Sequence, residues 1–170
     1  MNQLLIEDYC YYQSPIGLIR IGEISGFLTR VDFVEQSIES EQIQSKSLRN
    51  SNSLLQDACR QLDQYFEGIR QKFDLALKPL GTYFQCSAWE ALLRIPYGET
   101  RSYLQQAESI CNPKAIRAIG RANSLNPISI FIPCHRVIGK NGSMKGYAGG
   151  LDRKERLIAL ENSFKHEQNY

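Results

Sequence analysis

Hydrophobic and polar residues follow two different periods along this chain, and the change near residue 80 divides it. In the first part, Tyr9–Gln13 and Leu18–Ile21 are short runs rich in aromatic and β-branched residues, separated by Ser14-Pro15-Ile16-Gly17. That arrangement predicts two extended segments joined by a turn. Phe27–Val34 predicts a third strand. The stretch from Glu35 to Asn52 is polar and rich in Ser and Gln, as expected of a surface loop. Leu54, Leu55, Ala58, Cys59, Leu62, Tyr65 and Phe66 recur at helical spacing, and Gly68 stands where such a helix stops. Phe73, Leu75 and Leu77 then alternate as a half-buried strand would, and Pro79–Gly81 breaks the pattern. The boundary is placed there, giving a first domain of residues 1–81 and a second of 82–170.

The second part reads as mostly helical. Thr82 and Gln85 have capping-box spacing, and Trp89, Leu92 and Leu93 make an apolar stripe behind them. Pro96-Tyr97-Gly98 ends that helix. Ser102–Ser109 predicts a short helix, and Asn112-Pro113 restarts one, with Asn as N-cap and Pro at the first position. Two short helices so joined are a helix-turn-helix pattern. At roughly 100° per residue, Ala115, Ile116, Ile119 and Ala122 share one side of the second helix. Lys114, Arg117 and Arg121 share the other. Ile128–Ile132 predicts a short buried strand stopped by Pro133. A last helix is expected over Asp152–Glu161. The predicted fold class is therefore α/β (α+β), a small sheet-plus-helix domain followed by a helical domain with a helix-turn-helix.

Composition narrows the class without changing this picture. Of 170 residues, 42% are hydrophobic and 22% charged, which suits a folded globular chain and not a disordered one. No apolar run approaches the ~20 residues of a membrane span. Met1–Asp8 lacks the basic and apolar regions of a secretory leader, so a cytoplasmic location is expected. The net charge of +2 hides an asymmetry. Residues 1–85 carry 8 basic and 11 acidic side chains, and residues 86–170 carry 12 and 7. From Ser109 to Leu151 there are six basic residues, Lys114, Arg117, Arg121, Arg136, Lys140 and Lys145, and no acidic one. Such a segment suits a polyanion, or else is a solvated basic face.

The candidate chemistry lies at Cys134-His135. Cysteine is the strongest neutral-pH nucleophile once its proton is removed, and histidine is the usual agent. Neighbouring side chains diverge in an extended stretch, so a bridging water is the easier route between them. On the last helix, Glu161 shares a face with Leu157 and Ile158, and a carboxylate there needs a partner. A Cys–water–His–Glu relay follows, with a plain buried cysteine as the alternative. Five of the twelve glycines lie between Gly139 and Gly150, including the tight-turn pair Asn141-Gly142 and the run Gly146-Tyr147-Ala148-Gly149-Gly150. That loop either approaches a flat ligand closely or is a flexible connector. The odd cysteine count and the two histidines argue against a disulfide framework and a zinc site.

Ile132-Pro133-Cys134-His135-Arg136-Val137 resembles the active-site signature of the O6-alkylguanine-DNA alkyltransferases, also called methylated-DNA–protein-cysteine methyltransferases. Pro96-Tyr97-Gly98-Glu99, Ser102-Tyr103, Asn112-Pro113-Lys114, Arg117-Ala118, Asn126-Pro127 and Tyr147-Ala148-Gly149-Gly150 stand in the family's order, so the likeness covers about Thr82 to Glu161 and is weaker before it. The chain's length and layout resemble the constitutive bacterial members. The resemblance implies irreversible, single-turnover transfer of an alkyl group from guanine O6 to Cys134, with no cofactor. It implies that His135 takes the thiol proton through water, that Glu161 orients it, that Asn126 braces the site, and that Tyr103 donates to the leaving base. Val137, Tyr147, Ala148 and Gly149 match the base pocket. Arg117 matches the residue that replaces a flipped base in the duplex. Lys114, Ala115, Ala118, Arg121, Ala122 and Arg136 complete the expected DNA surface.

Two departures carry their own expectations. Some relatives hold zinc through Cys and His in the first domain, but here only Cys10 and Cys59 stand there, so no metal is expected. Ala148 replaces a serine of some relatives, which implies tolerance of larger O6-alkyl groups and of O4-alkylthymine. The expected partner is double-stranded DNA carrying these lesions, bound by a monomer, with no membrane; cooperative binding along DNA stays open. The competing readings are a helix-turn-helix lesion-binding protein without chemistry and a Cys–His hydrolase.

Overall fold

The computed structural model describes residues 8–34 and 52–165, and its contacts divide the chain into two compact units, Met1–Pro79 and Leu80–Tyr170. In the first unit, β1 (Asp8–Ser14), β2 (Gly17–Ile24) and β3 (Phe27–Phe33) form an antiparallel meander in the order β1-β2-β3. The alternation seen in the sequence is real here: Cys10, Tyr12 and Ser14 of β1 all point inward. The first turn is tied by the Ser14 hydroxyl, which donates to the Gly17 carbonyl at 2.6 Å. The expected loop lies outside the described residues except for its end, where Asn52 caps α1 (Ser53–Phe66) by accepting from the Leu55 N–H at 3.0 Å. α1 covers the sheet. The Cys10 and Cys59 sulfurs meet at 3.7 Å, and Tyr12 donates to Asp63 at 2.8 Å.

The expected strand over Phe73–Leu77 is a correction. Those residues keep their alternating burial, but only Leu77 bridges, parallel to Leu28 of β3. Gln61 of α1 takes both backbone groups of Asp74, so this segment is held by a side chain as well as by sheet bonds.

The second unit opens with α2 (Tyr83–Leu93), whose Thr82/Gln85 capping box is present in both directions. Trp89 and Leu92 are buried behind it, whereas Leu93 is half exposed. The two-residue strands β4 (Arg101–Ser102) and β5 (Val137–Ile138) pair in parallel. Ser102 also caps α3 (Tyr103–Ser109), again with a reciprocal glutamine, Gln105. Pro113 opens not an α-helix but a 3-10 turn, Pro113–Ala115, and α4 follows over Ile116–Ser124. The tighter turn advances each residue by about 120°, which moves Ala115 relative to the helix that follows. Ile119 and Ala122 are buried as expected, but Ile116 is exposed and Ala115 only half buried. Ala88, Ala107, Ile119 and Ala122 make the small-residue cluster that lets α2, α3 and α4 approach closely. α5 (Leu151–Lys165) closes the described chain and buries Lys154, Leu157 and Glu161 on one face.

Candidate active site

The segment feeding Cys134 is not a strand. Ile132 N–H donates to the Ile128 carbonyl, Phe131 N–H to Ser129, and Cys134 N–H to Ile132, so Ile128–Ile132 coils into successive turns. A largely apolar run of five has no period to separate strand from turn, and among the described residues no strand pairs with it. Ile130 sits at φ 72, a left-handed conformation that a β-branched residue adopts only under constraint. All five side chains are buried and supply that constraint. Pro133 then ends the coil, and Cys134–Arg136 form a single 3-10 turn leading into β5.

Cys134 is buried, 4% exposed, and its sulfur accepts a hydrogen bond from Asn126 Nδ2 at 3.2 Å. The same amide donates to the Ile132 carbonyl at 2.8 Å, and Asn126 Oδ1 accepts from Ile128 N–H at 3.1 Å. Asn126 thus ties the end of α4 to the reactive turn. Cys134 and His135 make no direct hydrogen bond, since neither imidazole nitrogen is bound to the sulfur. His135 is fully buried, and its Nε2 pairs with Glu161 Oε1 at 2.8 Å. Its Nδ1 is buried without a protein partner.

Arg136 is a correction. It lies buried instead of facing a polyanion, with Nε at 2.9 Å and Nη2 at 3.0 Å from the two Glu161 oxygens, and Nη1 at 2.6 Å from the Ile95 carbonyl. Glu161 also accepts from Gly98 N–H at 3.0 Å. One carboxylate therefore joins α5, the reactive turn and the Pro96–Gly98 bend.

These contacts set the charges. Burial opposes ionisation of Glu161, but the His135 imidazole and the Arg136 guanidinium overcome it and hold the carboxyl at about 2. Burial holds His135 below the usual imidazole range, against the pull of Glu161, so the ring is neutral near pH 7. Burial pushes the Cys134 thiol up, and the Asn126 N–H and the Lys154 charge offset this only in part. The resting group is therefore a thiol beside a neutral imidazole, and a base must act for it to become a nucleophile.

Lys154 escaped the sequence reading. It is 1% exposed, donates to the Val137 carbonyl at 2.5 Å and the Lys145 carbonyl at 2.9 Å, and lies 5.8 Å over the Tyr103 ring. Its position three, four and seven residues before Leu157, Ile158 and Glu161 was the available signal. Tyr103 donates to the same Lys145 carbonyl at 2.7 Å. Tyr147 is buried, while Ala148 and Gly149 lie at more open positions on the loop. Among the described residues, no group of three or more His, Cys, Asp and Glu is placed to hold a metal.

On the outward side of α4 and its leading turn, Lys114, Arg117, Ala118 and Arg121 are exposed. Ala122 is not: it is 2% exposed and packed between the helices, and its carbonyl accepts from Trp89 Nε1 at 2.8 Å. Its place on the expected DNA surface is therefore withdrawn. Lys140 and Lys145 are exposed as well.

Two family profiles match the chain: 6-O-methylguanine DNA methyltransferase, ribonuclease-like domain, over residues 8–79, and 6-O-methylguanine DNA methyltransferase, DNA binding domain, over residues 83–163. The chain belongs to the 6-O-methylguanine DNA methyltransferase family. A methylated-DNA–protein-cysteine methyltransferase of Methanosarcina acetivorans is 48% identical over 91% of this chain and 98% of its own length. One of Mycobacterium leprae is 46% identical over 91% and 90%. The crystal structure of Mycobacterium tuberculosis O6-methylguanine methyltransferase superposes with a TM-score of 0.81 at 42% identity, covering 93% of this chain and 94% of that one. The same Mycobacterium tuberculosis protein in complex with DNA gives 0.80, covering 92% and 93%. Cys134, His135 and Glu161 all lie within residues 83–163, the stretch matched by the DNA binding domain of that family.

Proposed function

We propose that this methyltransferase repairs duplex DNA directly, by moving an alkyl group from guanine O6 onto Cys134 in a single turnover. The observation that carries this reading is a buried cysteine beside a neutral histidine with one nitrogen bound to Glu161 and the other unused by protein. His135 Nδ1 takes the Cys134 proton through a water, since direct contact is not made. The sulfur attacks the alkyl carbon, the C–S bond forms as the C–O6 bond breaks, and the guanine leaves with the electron pair. Asn126 Nδ2 and the Lys154 charge stabilise the sulfur while it is anionic. The positive charge left on His135 faces Glu161. Tyr103 donates to the departing base after giving up the Lys145 carbonyl. The thioether stays on Cys134, so each molecule acts once.

The target base lies inside a duplex and must leave it. Arg117, exposed on α4, takes its place in the stack, with Lys114 and Arg121 set to meet phosphate and Ala118 allowing close approach. Tyr147, Ala148, Gly149 and the Val137 main chain receive the base. The small Ala148 leaves room for larger O6-alkyl groups and for O4-alkylthymine. The second unit carries both DNA binding and alkyl acceptance, and the first supports it. The protein acts as a monomer in the cytoplasm.

Intact-mass measurement after mixing the protein with duplex DNA containing O6-methylguanine tests this reading. A stoichiometric gain of about 14 Da mapped to Cys134 is expected, and Cys134→Ala should bind DNA without gaining mass. DNA binding with no mass gain in the unaltered protein would leave a lesion-binding module instead. Loss of binding in Cys134→Ala would make the cysteine structural.

A further inference from the structure

Two cysteines of the first unit meet inside it. Cys10 of β1 and Cys59 of α1 stand 49 residues apart in sequence, and their sulfurs are 3.7 Å apart. Both are free thiols, 0% and 2% exposed. The sulfurs of Cys86 and Cys134 bond instead to the Gly81 carbonyl and the Asn126 amide. A disulfide needs a sulfur–sulfur distance of about 2.05 Å, so roughly 1.7 Å of closure separates this pair from a bond. The frame around the pair is already aligned. Tyr12 follows Cys10 by two residues on the same face of β1, and Asp63 follows Cys59 by one turn of α1. The Tyr12 hydroxyl donates to Asp63 at 2.8 Å, and the Tyr12 ring stacks on Phe66. Strand and helix are therefore pinned beside the two sulfurs. Closure asks for side-chain rotation and not for new packing of the elements.

We propose that Cys10 and Cys59 form a reversible disulfide in response to hydrogen peroxide, clamping β1 to α1. The proposal does not depend on the repair reading above. One sulfur must ionise first. The contact between the thiols lowers the pKa of Cys10 and, together with burial, raises that of Cys59, so the first thiolate is Cys10. It attacks one peroxide oxygen. The O–O bond breaks, hydroxide leaves with the electron pair and takes up the Cys10 proton as water, and Cys10 becomes a sulfenic acid. The Cys59 sulfur then attacks the Cys10 sulfur. The S–S bond forms, the S–O bond breaks, and the oxygen leaves as a second water with the Cys59 proton. Two thiols thus lose two electrons and two protons, and one peroxide becomes two waters. Access comes through β1, which pairs with β2 alone among the described residues and forms an edge of the sheet. Local opening of such an element admits a small oxidant without global unfolding. In a reducing compartment the pair rests as thiols, and disulfides formed there are transient and redox-sensing.

Intact mass and non-reducing peptide mapping of the full chain after hydrogen peroxide treatment test this. A loss of about 2 Da is expected, with the Cys10 and Cys59 peptides linked, and dithiothreitol should restore both thiols. The closed loop removes conformations from the unfolded chain, so the oxidised form should melt on the order of 10 °C higher. Cys86→Ser combined with Cys111→Ser removes the two more exposed thiols and should leave the bridge intact. Cys10→Ala and Cys59→Ala should each abolish it. The double serine variant keeps both core cysteines, so the test stands even where a core variant does not fold. A gain of about 32 Da at Cys10 without linkage, marking sulfinic acid, overturns the proposal. So does a bridge that requires Cys86 or Cys111, or a pair still reduced once Cys111 is oxidised. A bridged form that melts no higher than the reduced one overturns the clamp.

Discussion

Glu161 accepts hydrogen bonds from His135, from Arg136 and from the Gly98 backbone, all while nearly inaccessible to water. Glu161→Gln preserves its shape and removes its charge, leaving the Arg136 guanidinium buried without a counter-ion. Removing one partner of a buried ion pair costs about 3–5 kcal/mol. Urea denaturation should show that loss, and the transfer rate should fall with it because His135 loses the negative charge that stabilises its protonated form; unchanged stability would mean that Arg136 finds another acceptor. At this scale the sequence was legible where adjacency or helical spacing spoke directly, as for Cys134, His135 and Glu161. Arg136 was misassigned because counting charges along a segment does not tell which of them turn inward. Lys154 was passed over because a lysine on a helix is ordinarily solvated, and only its buried neighbours on the same face argue otherwise.

Between elements, α3 and α4 are joined by a reciprocal pair of amides. Gln106 donates to Asn123 at 3.0 Å and Asn123 donates back at 2.7 Å, and Gln106 also donates to the Ala88 carbonyl of α2 at 3.0 Å. Both side chains are 2% exposed. Asn123→Ala leaves a buried glutamine half satisfied, which costs about 1–3 kcal/mol. A lowered urea midpoint with an unchanged slope would confirm this, and an unchanged midpoint would show that Gln106 is rescued by water. The capping box at Thr82 was readable because local side chains decide it, whereas Asn112 makes no capping bond with its side chain and Pro113 alone starts the turn that was expected to be a helix. The equivalent box at Ser102/Gln105 was available from the same spacing and was not read. Ile128–Ile132 was not readable as a coil, since the constraint that holds Ile130 at positive φ comes from packing on every side. The face of Ile116 was misjudged because it opens α4 at the edge of the apolar stripe, roughly 90° from the midpoint of Ile119 and Ala122.

For the whole molecule, the division into two units shows in the sequence as a change of period and a change of sign in charge. The acid response follows from two buried groups. His135 has its pKa lowered in the folded protein, so below the ordinary imidazole value of about 6.5 the unfolded chain binds the proton more readily and stability falls. Glu161 is held at about 2, so its contribution is present above the ordinary carboxyl value of about 4.3 and is lost as pH falls toward the folded value. Tm should therefore decline below about pH 6.5 and steepen below about pH 4.3. Glu161→Gln should lack the steeper limb, and retention of that limb would assign it to other carboxyls. The Lys145 carbonyl has a consequence at the same scale. It holds two donors at once, the Tyr103 hydroxyl and the Lys154 ammonium. A base that claims the hydroxyl takes one of them and leaves the other fastened. In the proposed reaction the glycine-rich loop is thus a turnstile and not a door: one partner is exchanged, and the Lys154 bond keeps the frame anchored.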